Sequence, residues 1–252
     1  MIDRCGSSAP GVCRECGKTP TIAAHIVPKA FARTIRGDTP HNIHIKVSEN
    51  ITRLTTQLGA YDSNILCASC DGRLGLYDEY AIKFIREYKI IARNSGADFF
   101  TLDNIDCDIF SKFILSLLWR ASISNHRDFS HIKIGKYEKE IQDILFDRTP
   151  LRDLEAFDLM MMRFKSEKLD VEGMYSVPER GRFEGLNIWG FIIGGFRIMA
   201  KLDNKRLPEL FRPLSINKSL VMCGFIGKFE DSIEFRHIVK FSHSPIIRSR
   251  NM

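Results

Sequence analysis

A chain of 252 residues with 44% hydrophobic content is long enough to bury one sizeable core or two small ones. Its longest apolar candidate, residues 188–200, is interrupted by Gly190, Gly194, Gly195 and Arg197 and falls short of the roughly 20 residues a helical membrane span needs. The formal net charge of +6, with residues 1–95 carrying 13 basic and 9 acidic side chains, permits a polyanionic partner without demanding one.

The N-terminal residues, beginning Met1-Ile2-Asp3-Arg4-Cys5, are short and polar and carry no hydrophobic signal segment. A reducing, cytoplasmic setting is therefore expected, where cysteines stay free or bind metal. Cys13-Arg14-Glu15-Cys16 and Cys67-Ala68-Ser69-Cys70 form two C-x2-C pairs separated by a long insert. Each pair can present two thiolates from one tight turn, and two such turns close a tetrahedron around one structural zinc ion. The first 75 residues contain few long apolar patterns, so metal binding is expected to substitute there for core burial. Among the other cysteines, Cys107 and Cys223 lie in apolar surroundings and read as core, while the terminal position of Cys5 makes it a poor candidate ligand.

Between the pairs stands Ala24-His25-Ile26-Val27-Pro28, followed by Lys29, Arg33 and Arg36 at i, i+4 and i+7. If residues 28–36 are helical, these three cations share a face that suits phosphate contacts, or that is simply a solvated helix surface. His41 and His44 are either metal-facing or exposed.

From Leu76 the pattern becomes helical. Tyr77, Tyr80, Ala81, Phe84, Ile85, Tyr88 and Ile91 recur on one face, which predicts a helix of about five turns. Asn94-Ser95-Gly96 stops it. A second helix is predicted over 105–124 with Asp103 as its cap, a third over 137–146, and a fourth over 151–164 after Pro150. The fourth would carry Met160, Met161 and Met162 as core filler. Beyond about residue 169 the segments 187–202, 220–229 and 232–239 read as strands, with turns at 203–205 and 227–231. The fold class expected is α+β, with three or four antiparallel strands packed on the preceding helices. The expected organisation is a zinc-bound unit over 1–95 and an α+β unit of unassigned role over 96–252.

The two cysteine pairs, the Ala24-His25-Ile26-Val27-Pro28 segment and Asp71 directly after the last cysteine resemble the zinc-bearing members of the HNH endonuclease superfamily. The resemblance covers residues 13–76, under a third of the chain. It implies a ββα-metal unit in which His25 is the general base, Asn64 braces the loop that carries the base, and Asp71 ligates a catalytic Mg²⁺ or Mn²⁺. Ala24 stands where an acidic or histidine ligand is common, and Asn64 lies closer to the zinc cysteines than the family's middle asparagine. Asp71 stands where histidine or asparagine is usual, a substitution that a hard cation tolerates. Asp62, Asp78, His41 and His44 are the candidates for the ligand that Ala24 cannot supply. The activity implied is metal-dependent hydrolysis of phosphodiester bonds in nucleic acid, DNA ahead of RNA, with restriction or anti-phage defence as the setting. The alternative is a non-catalytic zinc module that binds nucleic acid or a partner protein. A third reading has residues 96–252 docking a partner subunit or a second copy.

Overall fold

A computed structural model describes residues 11–36, 42–46, 52–56, 60–91, 93–96 and 98–242. The elements in chain order are β1 (Ala24–His25), α1 (Lys29–Arg36), β2 (Asn42–Lys46), β3 (Thr52–Thr56), β4 (Tyr61–Asp62), α2 (Ala68–Ile91), β5 (Arg93–Gly96), β6 (Phe99–Leu102), α3 (Cys107–Ile123), α4 (Tyr137–Leu145), β7 (Phe157–Lys165), β8 (Glu179–Phe183), β9 (Leu186–Ile193), β10 (Phe196–Leu202), β11 (Met222–Lys228) and α5 (Ile233–Ser242), with short 3-10 turns between several of them. The protein is α+β. Cys5, His41 and the tail from residue 243 lie outside the described residues, as do the side chains of Arg36 and His44. Among the described residues, no helix is long and apolar enough to cross a membrane.

Seven strands form one sheet in the order β5-β6-β11-β7-β10-β9-β8. Every neighbouring pair is antiparallel except β11 and β7, where Phe225 lies opposite Met162 in parallel register. The sheet is thus larger than the three or four strands expected, and mixed rather than purely antiparallel. Two short antiparallel pairs, β1 with β4 and β2 with β3, stand outside it.

The period-two alternation of strands sorts the sheet residues onto two faces. Phe157, Leu159 and Met161 of β7, Phe196, Ile198 and Ala200 of β10, and Met222 and Ile226 of β11 join the main core with the helices. Met160, with Met199 and Cys223 packed against it, belongs to a smaller cluster on the other face, which Leu207 and Leu214 help to close. A third cluster gathers Phe164, Ile192 and Phe229. α3 sits at the centre of the main core, and of its residues even Ser111, Ser116, Arg120 and Ser122 are buried.

Two expectations are corrected. The helix expected over 151–164 is instead the strand β7, which carries the three methionines. Both of its faces are covered, so hydrophobic residues run on without the polar alternation that marks a half-exposed strand, and such a run does not reveal its period. The strand expected over 232–239 is the helix α5. Ser232 caps it, its hydroxyl accepting the Phe235 N–H at 3.0 Å, the geometry of an N-terminal helix cap.

Other boundaries shift less. α3 is capped by Asp106, whose carboxylate accepts the Ile109 N–H at 3.0 Å, rather than by Asp103. β9 and β10 form a hairpin across Gly194 and Gly195, with φ of 58° and 79°; glycine adopts this conformation without steric cost, and the twist of such turns matches that of the strands. α2 begins eight residues before Leu76, despite Gly72 and Gly75, because the second cysteine pair fixes its first turn.

The boundary expected at 95/96 is bridged by packing. The main core runs from Cys13 to Ile226. Within it Phe31 of α1 stacks on Phe113 of α3 at 5.4 Å between ring centroids, and Phe84 of α2 meets both Phe110 and Phe196. The first 75 residues are also less bare than their pattern implied, since Ala24, Ile26, Ile65, Leu66 and Leu74 are fully buried in that core.

Candidate functional site

The first cysteine pair sits on a tight turn in which Gly17 N–H donates to the Cys13 carbonyl at 2.9 Å and Cys13 N–H to that of Lys18 at 3.0 Å. The second pair opens α2, with Cys67 just before the helix and Cys70 in its first turn. Two backbone bonds tie the turns together: Arg14 N–H to the Ile65 carbonyl at 2.8 Å and Ile22 N–H to that of Leu66 at 2.9 Å. The four Sγ atoms lie within 4.8 Å of one another, and Cys16 and Cys67 are 3.7 Å apart. A tetrahedral zinc with Zn–S bonds of about 2.3 Å sets its sulfurs about 3.8 Å apart. Cys13, Cys16, Cys67 and Cys70 could therefore hold a metal ion such as zinc, and no other such cluster occurs among the described residues.

The donor chemistry agrees. The Cys67 thiol is lowered to about 7, chiefly because the Cys70 backbone N–H donates to its sulfur at the helix start. Burial and the neighbouring sulfurs push Cys70 far up. Four thiolates this close cannot all ionise without a cation among them.

β1 places His25 opposite Tyr61 of β4, with ring centroids 6.2 Å apart. Tyr61 itself is exposed. The strand is anchored from both sides, since Ala24 is fully buried and Ile26 N–H donates to the Ala60 carbonyl at 3.0 Å. Burial, followed by the charges of Lys29 and Arg120, pulls the His25 imidazole below its ordinary value, with Asp78 opposing. Half-buried Asp71 lies in the first turn of α2. Burial pushes its carboxyl up, Arg120 draws it down, and Asp78 raises it again. His25 and Asp71 thus respond to the same two charges.

Those two charges form a buried ion pair. Arg120 of α3 donates to both Asp78 oxygens, Nη1 to Oδ2 at 2.9 Å and Nη2 to Oδ1 at 2.7 Å, and Nη1 also reaches the His25 carbonyl at 3.1 Å. Ser116 completes the set, its carbonyl accepting from Nε at 3.3 Å and its hydroxyl from Nη2 at 3.1 Å.

Two of the alternative ion ligands are committed elsewhere. Asp78 serves Arg120. Asp62 accepts from Asn64 N–H at 2.8 Å through one oxygen, and from the Ser124 hydroxyl and Asn125 N–H at 2.9 and 2.8 Å through the other. Asp71 has no hydrogen-bonded side-chain partner among the described residues, so it is the carboxylate here with oxygens to offer. One carboxylate, completed by waters and phosphate oxygens, is a sufficient protein ligand for Mg²⁺.

Asn64 lies exposed in the turn after β4, its Oδ1 beside Gly11. Lys29 starts α1, near enough for its charge to act on His25, and Arg33 is exposed one turn on. Arg36 ends α1, and His44 lies in β2 opposite Leu54. Sequence reading passed over Arg120, although an arginine inside the apolar run Phe113–Ile123 needs a partner if buried, and it passed over Tyr61. No protein-family model matches the chain, and neither does any curated protein or solved structure.

Proposed function

We propose that the protein is an HNH-like nuclease that hydrolyses phosphodiester bonds in nucleic acid, with β1, β4 and α2 as its ββα unit and a zinc on the four cysteines as a structural tie. The observation that carries this reading is the placement of Arg120, which bonds the His25 carbonyl and Asp78 of α2 and whose charge acts on both His25 and Asp71 next to the cysteine cluster. His25, kept neutral by its surroundings, takes a proton from the attacking water. Asp71 holds a Mg²⁺ or Mn²⁺, which when bound stabilises charge on the scissile phosphate. Lys29 and Arg33, with Arg36 at the end of α1, contact the phosphate backbone of the nucleic acid without reading its sequence.

The non-catalytic zinc module stays in view for a specific reason. Ala24 is buried and cannot ligate, and Asp62 and Asp78 are taken, so of the carboxylates considered for the ion only Asp71 is unpaired among the described residues, fewer protein ligands than the family pattern supplies. Incubating the purified protein with plasmid, linear and single-stranded substrates, with Mg²⁺, Mn²⁺ or EDTA, decides between the two. Ion-dependent cleavage that His25→Ala abolishes supports the nuclease; binding with no cleavage under any condition supports the module.

A further inference from the structure

We infer that Arg120, outside the segment that resembles a nuclease, is a positioning residue that fixes the His25 backbone against α2; this rests on the nuclease reading for its catalytic consequence. β1 is only two residues long, and such a strand does not hold its own orientation. Its partner β4 is equally short. Beyond the burial of Ala24 and the Ile26–Ala60 bond, the Arg120 guanidinium links β1 to α2, bonding the His25 carbonyl and Asp78 of α2 from one planar group.

The surroundings lock that group in turn. Arg120 is 1% exposed, and its remaining donors are engaged by Ser116 on the preceding turn of α3. A buried arginine with a fixed rotamer and a bidentate carboxylate partner transmits the placement of α3 to whatever else it bonds. Here that is the carbonyl of the residue whose ring would abstract the proton. Arg120 would thus brace the segment carrying the base from another helix, alongside any role of Asn64.

Breaking one half of a buried pair strands a charge and can unfold the chain, so the informative variant removes both charges. Asp78→Leu/Arg120→Met fills the volume with apolar atoms and leaves the His25 carbonyl without its tie. Arg120→Lys, the second variant, keeps the charge beside Asp78 but offers a point donor in place of a planar one. The measurements on zinc-loaded full-length protein are zinc stoichiometry, thermal midpoint, kcat and KM on the substrate cleaved by wild type, and hydrogen exchange at the Ile26 amide, which bonds Ala60 across β1 and β4.

The expected result is a folded, zinc-replete double variant in which Ile26 exchanges at least about tenfold faster while amides of β9 and β10 are unchanged. Its kcat should fall about 100-fold with KM nearly constant, as misplacing a catalytic group does. Arg120→Lys should fall between the two. A purely structural role would lower the thermal midpoint and leave kcat of the folded protein intact. Wild-type kcat, or wild-type protection at Ile26, in the folded double variant would overturn the inference. If wild type cleaves nothing, the nuclease reading falls by itself, and the exchange measurement alone decides whether Arg120 positions His25.

Discussion

Stripping the metal from the cysteine cluster sets two large energies against each other. Structural zinc in small finger peptides contributes about 10–16 kcal/mol, comparable with the whole stability of a typical domain, about 5–15 kcal/mol. On that comparison alone the apo protein should not fold. The N-terminal segment, however, does not depend on the ion in the way a finger peptide does. Ile26, Phe31, Ile65, Leu66 and Leu74 are buried in the common core against α3. At roughly 1.5–3 kcal/mol for each such side chain, together they supply on the order of 10 kcal/mol.

Chelation, or Cys16→Ala at the one exposed cysteine of the four, should therefore loosen the two knuckles and leave the sheet and α3 folded. The assay pairs circular dichroism with thiol labelling. Most helical signal should survive chelation, the remaining cluster thiols should become reactive, and buried Cys107 should stay protected. Complete loss of the cooperative thermal transition on chelation would refute the reasoning, because it would mean the shared core contributes less than the metal.

His25→Ala should abolish cleavage, a loss of about 10²–10⁴-fold, with the thermal midpoint nearly unchanged. Because its surroundings hold His25 below its ordinary value of 6.5, the imidazole stays the neutral base as pH falls to 6.5, and the rate should drop only at lower pH; a pH–rate profile whose acid limb is centred above 7 would contradict this. Asp71→Ala should lose activity at every Mg²⁺ concentration while Asp71→Asn and Asp71→His keep part of it, measured as rate against added Mg²⁺. Gly224→Ala should cost about 1–3 kcal/mol in urea denaturation, since its Cβ would come within 2.3 Å of the Met161 carbonyl. Gly72→Ala, which meets nothing within 4 Å on an exposed helix face, should instead stabilise by up to about 1 kcal/mol.

What the sequence made legible follows the range of the forces involved. The cysteine cluster could be read because four ligands of one chemistry must recur at fixed short spacing, and the structure brings their sulfurs together. α2 and α4 could be read because one face is apolar and the period is local, and α3 because its apolar stripe recurs at helical spacing, although its other faces are buried too. β7 could not, since burial on both sides removes the alternation that distinguishes strand from helix. α5 was missed because Ser-Ile-Glu-Phe-Arg-His alternates by chance, while the Ser232 cap that starts the helix depends on one hydrogen bond. The commitments of Asp62 to Ser124 and of Asp78 to Arg120 join residues far apart in the chain, which no spacing rule can anticipate.

The sheet order has a consequence for how the chain is made. β11 lies between β6 and β7, so an interior position of the sheet is filled by its last strand. During synthesis, β5 and β6 on one side and the β7–β10–β9–β8 group on the other must wait, each with an unpaired edge, until about residue 228 has emerged. Unpaired edges are templates for intermolecular pairing, and contacts between segments so distant in sequence form slowly. A chain released before β11 would present a two-stranded and a four-stranded sheet with unpaired inner edges, whatever the state of its cysteines. Completion of the sheet is therefore the step that closes both of these edges to intermolecular pairing.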